Sequence, residues 1–200
     1  MAHIMKTTRI SSQPSPPGLP PAGDWLVETS RSAVSFSGRA SRLAPTVRAA
    51  FGDVHGGIHL AADPNDSRVG VCVDVRTVST GNPVWDDMLH AADPFRARHH
   101  PLAHFVSTAV RWTGAGFQVR GTLELAGRET PLTLSASVRE NDDTSVALLA
   151  EGSIDPRSAG ISLNLPGARL LMPRTMNLSI AVIAGRTRAT KSTGRFALAS

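Results

Sequence analysis

Apolar and polar positions alternate along most of this chain. Within residues 116–138, Phe117, Val119, Leu123 and Leu125 alternate with Gln118, Arg120, Thr122 and Glu124. After the polar stretch Ala126-Gly127-Arg128-Glu129, the residues Leu132, Leu134, Ala136 and Val138 alternate with Thr133, Ser135 and Ser137. A period of two places each set on one face of a strand. The run therefore reads as a β-hairpin with one oily and one wet face. The same reading gives strands over 25–28, 33–38, 47–55, 57–60, 69–75, 104–112, 117–125, 130–139, 145–154 and 176–183. Turn chemistry separates most of them: Gly56-Gly57, Asp63-Pro64-Asn65-Asp66, Thr113-Gly114-Ala115-Gly116 and Asn141-Asp142-Asp143. Many short strands with antiparallel spacing indicate an all-β barrel or sandwich. One stretch breaks the period: Val84, Met88, Leu89 and Ala92 are spaced for a short helix near 84–93, with Asp86 and Asp87 in its first turn, where negative charge suits the helix dipole.

The oily face has to be covered, and the residues facing inward follow from the alternation. Val34 and Phe36 come from one strand, Phe51 from the next, and Val71 and Val73 from the strand carrying Cys72 on its other face. Phe117, Val119, Leu123 and Leu125 come from one arm of the hairpin, Leu134 from the other, and Leu178 and Ile180 from the last strand. Gly70, Gly121, Ala136 and Ala181 would leave room for a ligand or for curvature. A membrane barrel also alternates, but it needs strands of ~9–11 residues and aromatic girdles. With aromatic residues at 4% of the chain, those girdles are missing and the apolar face points inward.

Composition narrows the reading. Two hundred residues make one generous domain, with enough core to need no disulfide staple. The single cysteine, Cys72, has no intramolecular partner and is compatible with a reducing compartment, so a cytoplasmic location is expected. The net charge is +5 and almost wholly arginine, Lys6 and Lys191 being the only lysines. The absence of Tyr leaves no stacking platform for single strands, so nucleic acid is not an expected partner. No apolar run approaches the ~20 residues of a membrane-spanning helix. Residues 1–23, rich in Pro and Ser, read as a disordered leader, 24–185 as the folded barrel, and 186–200 as a loose basic tail.

His90, His99, His100 and His104 lie close together in sequence, near Asp86, Asp87 and Asp93, but without the paired spacing of a structural zinc site. A turn at Gly56-Gly57 would bring His55 and His59 together. Neither group carries a metal, cofactor or catalytic assignment. No Gly-x-Ser-x-Gly elbow and no phosphate-cradling loop occurs.

The chain resembles the YceI-like family of isoprenoid-binding, lipocalin-like barrels. The likeness rests on six blocks in order: Arg31-Ser32-Ala33-Val34-Ser35-Phe36; Val47 to Phe51 running on to Gly56-Gly57-Ile58; Ser67 to Val73 leading through Val78-Ser79-Thr80-Gly81; Asp86 to Phe95 followed by Pro101, Phe105 and Ser107; the 116–134 hairpin; and Gly160-Ile161. Arg31, Met88, Pro94 and Pro156 depart from residues common in the family at those places. The resemblance implies an antiparallel barrel of about eight strands with a helix across its mouth. It also implies a long apolar ligand, such as a polyprenyl quinone, a polyprenyl phosphate or a similar lipid. Trp85, at the start of the helix, with Leu89, Phe95 and Phe105 then joins the inward residues as a ligand contact. The implied role is a non-enzymatic lipid carrier, with a homodimer and a transient membrane-surface contact as accompanying expectations. Two other readings stay open: a metal-assisted enzyme acting through the 90–104 region, and a barrel that binds proteins and no ligand.

Overall fold

The computed structural model describes residues 18–39, 41, 46–162 and 172–187. Its centre is the hairpin of β7 (Phe117–Leu125) and β8 (Arg128–Asn141), joined by a two-residue turn, Ala126 and Gly127, with φ of 54° and 75°. Positive φ at both central residues matches the right-handed twist of the flanking strands. From there the sheet runs through β6 (Leu102–Trp112) and β5 (Arg68–Asp74) on one side, and β9 (Ser145–Ile154) and β10 (Met176–Arg186) on the other. All pairings are antiparallel.

The first four strands close the ring as two interrupted staves. β1 (Gly23–Val27) and β2 (Ala33–Gly38) lie end to end along β10: Trp25 to Val27 pair with Arg186 to Ala184, and Ala33 to Gly38 pair with Ala181 to Met176. β3 (Val47–Phe51) pairs with β2, and β4 (Val54–Leu60) with β1 and β5. The outcome is a closed eight-stave barrel in which every inner face is covered by the others.

The interruption falls at Gly52-Asp53 and not at Gly56-Gly57, where the sequence suggested a turn. Gly56 and Gly57 sit inside β4 because the strands come very close there: a Cβ on Gly56 would lie 2.2 Å from the Gly70 carbonyl oxygen. His55 and His59 therefore do not meet across a turn. His55 holds the Thr29 hydroxyl and the Asp53 carboxylate, at 2.9 and 2.7 Å, and His59 holds Asp24 at 2.7 Å.

β3 has β2 on one side, and its other edge meets an irregular segment. Ala50 and Ser79 exchange backbone hydrogen bonds of 2.8 and 2.9 Å, pinning the connection between β5 and β6 to the barrel. That connection carries α1 (Pro83–Ala92), capped by the Asn82 side chain, which accepts from the amides of Val84 and Trp85. Pro83 at the first helical position has no amide to orphan. The helix ends on Asp93 in the left-handed region, φ 45°.

Candidate functional site

The long connection 75–101 with α1 and the segments 155–162 and 172–175 next to β9 and β10 gather at one end of the barrel; the turns at 113–116 and 142–144 and the approach through residues 18–22 occupy the other. Between them lies a cavity of about 150 Å³. Alternation along the strands builds it. Val71 and Val73 from β5, Phe117, Val119, Leu123 and Leu125 from β7, Leu134 from β8, and Leu178 and Ile180 from β10 all line it. So do Val34, Phe36, Phe51, Phe95 and Phe105. Phe36, Phe51 and Phe95 form a triangle of rings with centroids 5.3 to 5.6 Å apart, two of the contacts edge-on, closing the lumen at the helix end. Such pairs add about 0.5–1.5 kcal/mol each beyond the area they bury.

Two residues expected in the site lie elsewhere. Trp85 is 56% exposed, beside exposed Val84 and Met88. The helix turns Leu89 and Ala92 toward the protein; Trp85 shares their side by spacing but stands in the first turn and stays in solvent. Leu89 packs on the core but faces a separate shallow groove with Val75, Val78 and Phe95. The small residues also divide. Ala136 lines the lumen, while Ala181 is exposed and Gly70 has nothing within 4 Å of where a Cβ would stand. Gly121 faces inward, but its space is taken by the Phe105 ring, whose Cζ stands 2.6 Å from the same imaginary Cβ.

Alternation alone misses several lining residues. Ile58 and Leu60 continue the β4 pattern past the two glycines once no turn is placed there. Val110 is reached because a bulge between Ser107 and Ala109 shifts the inward parity of β6 from odd to even numbers. Leu148 and Ala150 lie in a β9 run, Val146 to Ala150, that is apolar on both faces and so shows no parity. Pro20 and Ile161 come from irregular segments, where no period exists to read.

The electrostatics of the lumen are nearly blank. Among the described residues, Ser67 is its only polar lining side chain, and the Ser67 hydroxyl oxygen accepts from the Ala61 amide at 3.2 Å. The titrating groups sit outside. Cys72 faces away from the lumen, and burial, helped by Asp74 and Asp53, pushes its thiol pKa up. Asp74 is held below the usual carboxylate range by the Arg76 guanidinium at 2.6 Å. Asp86 is lowered by the Thr80 hydroxyl and amide and by the Ser79 hydroxyl. Among the described residues, no three His, Cys, Asp or Glu side chains are grouped to hold a metal ion. No helix among them is long and apolar enough to cross a membrane.

A closed antiparallel barrel around an apolar lumen, with a helix at one end, has the lipocalin-like architecture. The chain belongs to the YceI-like domain family, whose model matches residues 25–184. A relative from Serratia proteamaculans, a UPF0312 protein, is 31% identical over 121 residues, 58% of this chain and 63% of that one. A YceI protein of Escherichia coli O157:H7 is 30% identical over 108 residues, 52% of this chain and 56% of that one. The chain thus spans somewhat more than half the length of the curated relatives it matches. Among solved structures, BcnA of Burkholderia cenocepacia superposes with a TM-score of 0.68 at 18% identity, over 78% of this chain and 98% of that one. A polyisoprenoid-binding domain from Saccharophagus degradans, implicated in plant cell wall breakdown, gives 0.63 at 14% identity, over 84% and 100%. At these identities the likeness is one of fold.

Proposed function

We propose that the barrel is a non-enzymatic carrier that takes the apolar tail of an isoprenoid or similar long-chain lipid into its lumen. The observation that carries this reading is a cavity of about 150 Å³ whose lining, among the described residues, is apolar apart from the Ser67 hydroxyl. An apolar cavity of that size stays dry and holds a group about as large as benzene. One isoprene unit fits that space and would gain roughly 4 kcal/mol, at ~0.8 kcal/mol per buried CH₂. Among the described residues, the lining offers no cation and no charged donor, so the head group of a polyprenyl phosphate or a quinone would stay outside while the tail is held. The description of the Saccharophagus degradans domain as polyisoprenoid-binding supports the ligand class. The exposed Val84, Trp85 and Met88 on α1 support a transient contact with a membrane surface, where such lipids reside. A homodimer and a cytoplasmic location complete the proposal; light scattering across concentrations and cell fractionation test them.

The central test is mass spectrometry of an organic extract of the purified protein, with thermal shifts against a series of prenols. Ala136→Leu fills the lumen from a position on its wall. It should keep the fold and abolish the prenol-induced rise in Tm. A clean extract together with no shift from any prenol rejects the carrier reading.

A further inference from the structure

The cavity described above is short for a long chain, so something must yield when a longer tail enters. The helix end is held by the ring triangle and the Ala50–Ser79 bonds. The opposite end is closed by residues just ahead of β1, in the part of the chain whose composition suggested a free leader. Leu19 is 9% exposed and belongs to the core cluster, and Pro20 is buried and lines the lumen. The local sequence explains the path. Pro20 and Pro21 lack backbone amides, so this stretch cannot extend β1 as a paired strand. Gly18, at φ 91°, turns the chain so that the next residues cross the barrel end. The segment is held by side-chain donors on carbonyls: the Trp25 indole N–H donates to Pro21 at 3.3 Å, and the Arg186 guanidinium donates to Ala22 at 3.0 Å. Trp25 itself is 1% exposed beneath this segment, with the Arg186 guanidinium 5.9 Å from its ring centre.

Resting on the carrier reading, we infer that Leu19 and Pro20 form a stopper that sets the chain length the lumen admits. A short prenyl tail occupies the existing cavity with the stopper seated. A longer tail binds only as the stopper leaves, so its apparent affinity is lowered by the small fraction of molecules with the end open. Removing the stopper abolishes that penalty for long tails and leaves short ones nearly unaffected.

The test uses the full chain carrying Trp85→Phe and Trp112→Phe, so that Trp25 alone reports, with dimethylallyl alcohol (one isoprene unit) and geranylgeraniol as short and long probes. In this background, dimethylallyl alcohol leaves Trp25 shielded from acrylamide, and geranylgeraniol exposes it. Leu19→Asp, which places a charge against the apolar end, should tighten geranylgeraniol by about tenfold with little change for dimethylallyl alcohol. It should also expose Trp25 without ligand. Leu19→Ala, which keeps an uncharged residue, should shift both readouts the same way by less. Equal effects on the two prenols, or a Trp25 that stays shielded with geranylgeraniol bound, overturn the stopper while the carrier stands. If neither prenol binds any variant, both proposals fall.

Discussion

At the scale of single residues, position on the barrel decides what a glycine is for. A Cβ on Gly56 would stand 2.2 Å from the Gly70 carbonyl oxygen and 2.9 Å from the Val71 Cα, and Gly56 has a φ of 153°. Gly56→Ala must push two strands apart, and it should lower stability by about 3 kcal/mol. The measure is a fall in the urea midpoint at constant slope. Gly70→Ala meets open space, so its midpoint should stay within about 0.5 kcal/mol of the parent. Equal midpoints for the two variants would show that the β4–β5 approach is not tight. Cys72 is a second residue-scale case. Because burial, then Asp74 and Asp53, raise its pKa, the thiol stays protonated at neutral pH. An aromatic disulfide reagent should react with it more slowly than with free cysteine, since only the thiolate attacks.

Among the elements, α1 and the turns depend on carboxylates that accept hydrogen bonds while charged. Asp86 accepts from the Thr80 hydroxyl and amide and the Ser79 hydroxyl, tying the helix to the segment that covers β3. Asp142 accepts from the Thr144 amide and hydroxyl and the Ser145 amide in the β8–β9 turn. Asp74 pairs with Arg76. All three have folded pKa values below their ordinary ones. A lowered folded pKa means that the unfolded chain binds protons first as pH falls. Their contribution is therefore complete above the ordinary carboxylate value of about 4 and disappears as pH drops through the folded values. Urea midpoints should hold from pH 7 to about 5 and then decline. Asp86→Asn should be less stable at pH 7 and show a shallower acid decline, and an unchanged acid slope would discount its bonds. Elements of this kind were largely legible in the sequence. The strands at 33–38, 117–125 and 145–154 have the bounds that alternation and turn residues predict. The helix cap, by contrast, lies in Asn82, two residues ahead of the apolar spacing, and the β6 bulge falls where Phe105-Val106, Ser107-Thr108 and Ala109-Val110 come as like pairs from which no parity can be read. Loops that contribute Pro20 and Ile161 to the lumen have no period at all, so only the folded chain reveals them.

For the molecule as a whole, the weakest closure is the one joining the chain's two ends. Every stave from β4 to β10 is fixed to its neighbour by five to ten paired positions, but β1 meets β4 at four and β10 at three. The β1–β10 contact also spans nearly the full folded sequence, so it forms against the largest loop-closure cost. Its ends are secured by the Glu28 amide on Ile183 and the Thr187 amide on Asp24, both at 2.8 Å, and by Arg186 reaching over Trp25. Local opening should therefore begin here, while the β7–β8 hairpin, with nine paired positions, opens only with the whole barrel. Native-state hydrogen exchange should find the amides of residues 26–28 and 184–187 exchanging through low-energy openings, and those of 118–124 only at the global unfolding free energy. Arg186→Ala should speed exchange at this junction by about tenfold, the equivalent of roughly 1.4 kcal/mol, and leave the hairpin unchanged if it removes only local contacts. If the junction and hairpin amides exchange together, the barrel opens as one unit, and its seam is as strong as its centre.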